Sequence, residues 1–185
     1  MTNRGQQTHR PGTFGRIFRV SDSSLVDELL ERNLEYAERQ GTGVLPPQPA
    51  KQLAIVTCMD CRIDPWAAFG LERGEAHVMR NAGARLTEDV LRSLAVSVHV
   101  LGVRAVVLVG HTGCGMTGST NEQIAEAIEA GSGVKVEGVD FLPVEDIEVA
   151  VRADAERLSQ DPIFRGVEVA PLLFDIATGR LTRLG

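Results

Sequence analysis

The sequence predicts an α/β fold: a mainly parallel central β-sheet flanked by helices, with an N-terminal helical arm and a C-terminal β-hairpin. Three observations carry this. From Leu53 onward, short apolar runs alternate with longer stretches whose apolar residues recur at helical spacing, the order expected of β-α-β units. The run AVVLVG, residues 105–110, is apolar throughout, which suits a strand buried on both faces. Near the end, VEVAPLLFDI and RLTRL flank Ala177-Thr178-Gly179, a hairpin signal.

Residues 1–20 set Arg4, Arg10, Arg16 and Arg19 among Gly, Gln, Thr and Pro. They read as a flexible arm, or as one that orders against a partner subunit. Residues 21–185 read as a single domain. Its first helix spans 21–40, with Ser21-Asp22-Ser23-Ser24 as the capping cluster and Gly41 as the stop. Leu25, Val26, Leu29, Leu30 and Leu34 form an apolar stripe there that must pack on something. TGVLPPQPAKQ follows as an extended linker. LAIVT (53–57) and AHVMR (76–80) read as strands, and TEDVLRSLAVSVHVLG (87–102) as a helix capped by Thr87. TNEQIAEAIEAG is rich in good helix formers, and PVEDIEVAVRADAERLSQ reads as a helix beginning at its proline.

Nineteen basic against twenty-five acidic side chains give a net charge of −6. That balance argues against nucleic-acid or membrane-surface partners. No apolar run is long enough to cross a bilayer, and the first residues lack the apolar middle of a secretory signal. The expected compartment is therefore the cytoplasm, where three cysteines point to metal binding or thiol chemistry rather than to a disulfide framework.

Those cysteines fall in two motifs. VTCMDCRID holds Cys58, Asp60, Cys61 and Arg62; GHTGCG holds His111 and Cys114. Each motif follows a predicted strand directly, and chemical sites of such sheets lie at the carboxyl ends of strands. A closed four-ligand zinc knot is one reading, but it usually supports domains poor in core, and this chain has ample core. A redox C-x-x-C is another, although Pro65 and the aperiodic run before it leave no helix for its first thiol to open. The third is an open metal site with Cys58, His111 and Cys114 as ligands and one exchangeable position. If the chain leaves the strand extended, Cys58, Asp60 and Arg62 share a side and Cys61 faces away. On that reading C-x-D-x-R is the working motif. Gly113 to Gly118 also fits G-x-G-x-x-G, with Glu137 downstream. Two residues separate it from the strand, which weakens a dinucleotide reading. The glycines would instead let backbone N–H groups approach a small anion at a helix start.

CMDCRID followed by HTGCGM resembles the signature of the β-class carbonic anhydrases, C-x-D-[SA]-R and then H-x-x-C about fifty residues on. GLERGEAHVMRNAG, LRSLAVSVHVLG and FDIATGRLTRL are similar to family segments too, so the resemblance covers roughly residues 22–185. It is strongest to the short bacterial branch that also contains carbonyl sulfide and carbon disulfide hydrolases. Two positions depart from the pattern: Cys61 stands where Ser or Ala is usual, and Gly113 where this branch often carries Asp.

The resemblance implies a Zn²⁺ enzyme that reversibly hydrates carbon dioxide to bicarbonate and a proton. Carbonyl sulfide or carbon disulfide hydrolysis at the same zinc is the alternative within that chemistry; a non-catalytic zinc-binding or redox-sensing protein is the alternative outside it. The resemblance also implies that Asp60 accepts a hydrogen bond from the reactive water while Arg62 holds Asp60 off the metal. Asn81, Gly83 and, after them, Gly115 are expected to line the substrate pocket. His77 and His99 are expected to be structural, and Trp66, Phe69 and Met116 to form either an apolar wall or core. The family builds its site at a dimer interface, so a homodimer is the smallest expected assembly.

Overall fold

The computed structural model describes residues 24–40 and 43–185, which cluster into two compact units meeting at Val44 and Leu45. The expected arm, residues 1–20, lies outside the described residues, as do the caps Ser21, Asp22, Ser23 and Gly41. Ser24 remains as a cap of the first helix, α1 (Leu25–Gln40), its Oγ accepting from the Asp27 amide at 3.2 Å. The leucine stripe forms one face of α1 as the spacing predicts, and within its unit it buries none of its residues.

The second unit is built on five strands: β1 (Leu53–Cys58), β2 (Ala76–Asn81), β3 (Ala105–His111), β4 (Glu168–Phe174) and β5 (Leu181–Arg183). They lie in the order β2-β1-β3-β4-β5; the first four are parallel and β5 returns antiparallel to β4. The hairpin closes at the expected place, with the Gly179 amide on Asp175 O at 2.8 Å. The alternation of side chains along a strand divides the core in two. Ala54, Val56, Val106 and Leu108 face one cluster, packed by α3 (Glu88–His99) and α5 (Ile147–Gln160) through Leu94, Val151, Ala155 and Leu158. Ile55 and Val109 face the other, where Cys58, Ile63, Ala84, Cys114 and Phe174 are buried.

The close approach of α5 depends on one residue. A Cβ on Gly110 would lie 2.6 Å from Val151 Cγ2 and 2.8 Å from Ile147 Cγ1. Only a residue without a side chain lets α5 seat directly on the backbone of β3, one position before His111.

One added helix and two helix boundaries differ from the sequence expectation. A short helix, α2 (Pro65–Phe69), occupies a stretch too brief to show a period; Asp64 caps it and Gly70 ends it in the left-handed conformation. The helix expected over 87–102 ends at His99, where the Val100 and Leu101 amides both turn onto Val96 O. The helix expected from Pro143 begins only at Ile147, capped by Asp146. Val144 is drawn away instead: its amide donates to Met116 O at 3.0 Å and its carbonyl accepts from Gly118 at 2.9 Å. These two bonds tie the segment before α5 to the loop that follows β3.

Candidate metal centre

β1 and β3 are hydrogen-bonded neighbours, paired from Leu53↔Ala105 to Thr57↔Val109. Cys58 is the last residue of β1 and His111 the last of β3, so the register alone brings them to the same end of the sheet. Cys114 follows within the turn after His111, its carbonyl accepting from the Thr117 amide at 3.1 Å. The sulfurs of Cys58 and Cys114 and one ring nitrogen of His111 all lie within 4.8 Å of one another, and all three residues are buried.

The donor chemistry fits a metal ion. The two sulfurs are 4.0 Å apart, against about 3.8 Å for two thiolates on a tetrahedral zinc at ~2.3 Å bonds. His111 Nδ1 lies 3.0 Å from Thr112 O; a carbonyl only accepts, so Nδ1 carries the proton and Nε2 presents its lone pair. Among the described residues, Nε2 is the one buried side-chain nitrogen or oxygen with no hydrogen-bond partner. A buried polar atom left so is costly unless something absent from the protein chain meets it.

The electrostatics couple the three side chains. The contact with Cys114 holds Cys58 down to about 4, helped by His111 and by the Asp60 and Gly83 amides. The same contact and burial push Cys114 up. The two sulfurs thus behave as a pair sharing one proton, a position a divalent cation can replace. Burial works against a charged His111 ring, but the neighbouring Cys58 and Asp60 outweigh it and raise its pKa.

Asp60 stands at the edge of this group, its Oδ2 3.8 Å from His111 Nε2. The reason differs from the extended-chain expectation. β1 stops at Cys58 and the chain turns at once, with the Ile63 amide on Asp60 O at 3.1 Å. The Asp60 carboxylate folds back over that turn and accepts the Arg62 amide at 2.9 Å. Arg62 then grips both carboxylate oxygens, Nε to Oδ1 at 2.9 Å and Nη2 to Oδ2 at 2.6 Å. This grip keeps the carboxyl well below the usual carboxylate range. The turn leaves Cys61 exposed while Cys58 is buried, so the two cysteines part company as expected, through a turn rather than through strand alternation. Arg62 Nη2 also donates to Gly113 O at 2.8 Å, joining the loop after β1 to the loop after β3.

The expected pocket residues divide. The Asn81 side chain is spent on Arg85, accepting its amide at 2.8 Å and donating to its carbonyl at 2.7 Å. Gly83, at φ +76°, is buried, and its amide is among the groups that lower the Cys58 thiol. Gly115 is exposed, and a Cβ there would meet nothing within 4 Å. The glycine run does not open a helix: α4 (Asn121–Ser132) starts after Thr120, which caps it together with Gln123. His77 and His99 lie apart from the metal group, bonded to Ser97 and Pro47 and to Ile163. Phe69 and Met116 pack against the second core cluster, whereas Trp66 is exposed. Sequence reasoning missed Arg80, which binds the carbonyls of Cys58 at 2.9 Å and of Asp60 at 2.6 Å. Nothing in the residue's sequence position shows that its reach crosses to the neighbouring strand.

Residues 53–181 match the family model described as carbonic anhydrase. The chain belongs to the β-carbonic anhydrase family. It is 38% identical over 165 residues to beta-carbonic anhydrase 1 of Mycobacterium tuberculosis, covering 87% of this chain and 98% of that one. A solved carbonic anhydrase from Streptococcus mutans shares its fold at a TM-score of 0.85 and 37% identity, over 89% of this chain and all of that one. Similarity also extends to a carbon disulfide hydrolase of Saccharolobus solfataricus, 34% identical over 122 residues, 66% of this chain and 58% of that protein. Within this β-carbonic anhydrase, the segment matched runs from the start of β1 to the first residue of β5 and so contains both loops of the candidate metal centre.

Proposed function

We propose that the chain is a zinc-dependent carbonic anhydrase that interconverts carbon dioxide and water with bicarbonate and a proton. One observation carries the reading: a buried, unpartnered His111 Nε2, its tautomer set by Thr112, grouped with the two buried cysteines Cys58 and Cys114. Cys58, His111 and Cys114 would hold Zn²⁺. When bound, zinc supplies a water acidified from ~15.7 towards ~7 that can add to the carbon of carbon dioxide.

The residues around it supply orientation. Asp60, kept anionic by Arg62, can accept a hydrogen bond from the reacting water but cannot donate one. Arg62 holds the carboxylate by its fork and the facing loop by Gly113 O. The Gly83 amide steadies the Cys58 thiolate. Asn81 acts by fixing the 82–84 turn that presents that amide. Gly115 leaves open space beside Cys114 for a small substrate.

The longer and closer match to carbonic anhydrase than to carbon disulfide hydrolase ranks hydration first and hydrolysis of carbonyl sulfide or carbon disulfide second. Stopped-flow hydration rates per bound zinc, run beside carbonyl sulfide and carbon disulfide turnover, test the order. Fast zinc-dependent hydration supports it; a zinc-loaded protein turning over only the sulfur compounds reverses it, and one turning over none leaves a zinc-binding or sensing protein.

We read residues 21–185 as one functional domain and the protein as a cytoplasmic homodimer or larger homo-oligomer. Leu25, Val26, Leu29, Leu30 and Leu34 are each more than half exposed, a face that calls for a partner surface. The three unpaired cysteines suit a reducing compartment. Light scattering at working concentration checks the assembly.

A further inference from the structure

We infer that Arg80 is a positioning residue for this site: a guanidinium clamp on the main chain of Cys58 and Asp60 that sets where the Asp60 carboxylate stands. The inference rests on the carbonic anhydrase reading of the same site. Arg80 is the next-to-last residue of the edge strand β2 and pairs with Thr57 of β1. Its side chain therefore leaves the sheet just where β1 gives out and the metal loop begins. Nε donates to Cys58 O at 2.9 Å and Nη2 to Asp60 O at 2.6 Å. The two carbonyls belong to alternate residues of a turning chain, and one rigid planar fork meets both.

This is an unusual use of an exposed arginine. Among the described residues no carboxylate forms a salt bridge with it. A long side chain on an edge strand has free water to solvate it, so ordering it over two carbonyls costs rotamer entropy without relieving a buried charge. The arrangement makes sense if the shape of the 58–60 chain is what is being held. Asp60 is then gripped from both ends. Arg62 takes the carboxylate, and Arg80 takes the carbonyl that also closes the Asp60–Ile63 turn. Releasing the carbonyl lets the turn rotate and carries the carboxylate away from its place 3.8 Å from His111 Nε2. Lysine cannot replace this grip, because an ammonium is a point charge without a fork.

The test compares wild type with Arg80→Gln, Arg80→Lys and Arg80→Ala, each loaded with cobalt for spectroscopy and with zinc for kinetics. The clamp predicts full metal stoichiometry with altered cobalt d–d bands, a kcat lowered about 10-fold or more with KM nearly unchanged, and a displaced pH–rate midpoint. Arg80→Lys should fare no better than Arg80→Gln, and added guanidinium ion should partly restore Arg80→Ala. Wild-type spectra and pH midpoint in Arg80→Gln would overturn the inference, even if its melting temperature fell, since that marks a merely structural arginine. Should Arg80→Gln and Arg80→Ala not fold, an Arg80→Lys protein with wild-type spectrum and kcat overturns it equally. A wild-type protein without hydration activity whose cobalt bands still change on substitution would reject the catalytic reading and keep the clamp. An active wild type with indifferent variants would do the reverse.

Discussion

The loop after β1 and the loop after β3 bring the three candidate ligands together but are held by different means. In the first, Cys58 to Ile63, charged side chains do the holding: Arg62 on the Asp60 carboxylate and Arg80 on two carbonyls. In the second, His111 to Gly118, Arg62 reaches Gly113 O, but the other contacts are neutral. The Thr112 amide donates to Phe174 O, Thr112 Oγ1 accepts from Ile176, and Gly118 donates to Val144 O. The Asp60 carboxylate makes the first loop respond to acid and to the loss of the Arg62 fork, whereas the backbone bonds of the second contain no titrating group. The first loop is thus suited to tuning the reaction and the second to keeping ligands in place.

The strongest way to break the comparison is to remove a ligand from either loop. Cys58→Ser and His111→Asn should both lose zinc and fall to background hydration, read by metal analysis and stopped flow on the same samples. Equal loss from both loops is expected, because three ligands are the minimum for the site. Retained zinc in either variant would mean that the three-ligand assignment is wrong.

Asp60→Asn separates the loops. It should keep zinc yet lose about 10–100-fold in kcat/KM, the usual cost of an outer-shell partner. A loss below twofold would remove Asp60 from the reaction.

The carboxylate also predicts an acid response. Arg62 depresses the folded-state pKa of Asp60 below its unfolded value. Such a group adds stability above the ordinary carboxylate value, about 3.9, and loses it as pH falls from there towards the lower folded value. Wild type should therefore exceed Asp60→Asn in urea stability at neutral pH, and the gap should close in acid. A gap unchanged by pH would show that Arg62 grips the side chain by shape alone.

Two smaller effects sharpen the contrast. Thr112→Val removes the acceptor for the Ile176 amide and should cost about 1 kcal/mol in denaturant stability, with kcat nearly unaltered. Cys61→Ser should change neither zinc content nor rate, since that thiol is exposed on the outside of its turn. Lost zinc in Cys61→Ser would revive a four-ligand site.

Much of this was legible in the residues. Cys58, His111 and Cys114 follow strands whose apolar runs are plain in the sequence, and parallel pairing of neighbouring strands is enough to make them converge. Pairing of Asp60 with Arg62 was legible from chemistry and spacing, although a turn rather than an extended chain brings it about. The pairing of the Asn81 side chain with the Arg85 main chain, four residues on, was not. α2 escaped notice because five residues are too few for a period, even though its Asp-Pro start and glycine stop were present.

By itself the sequence determined the alternation of strands and helices, the donor residues of the candidate metal site and their places at strand ends, since these follow from local apolar period and donor chemistry. Only the tertiary structure decided that Arg80 spans from β2 to the loop after β1, that Gly110 lets α5 touch β3, and that Val144 leaves its helix to brace the second loop. Each of these joins residues far apart in the chain through a contact a few ångströms long. Such contacts depend on strand order, register and twist, and no local pattern of residues records them.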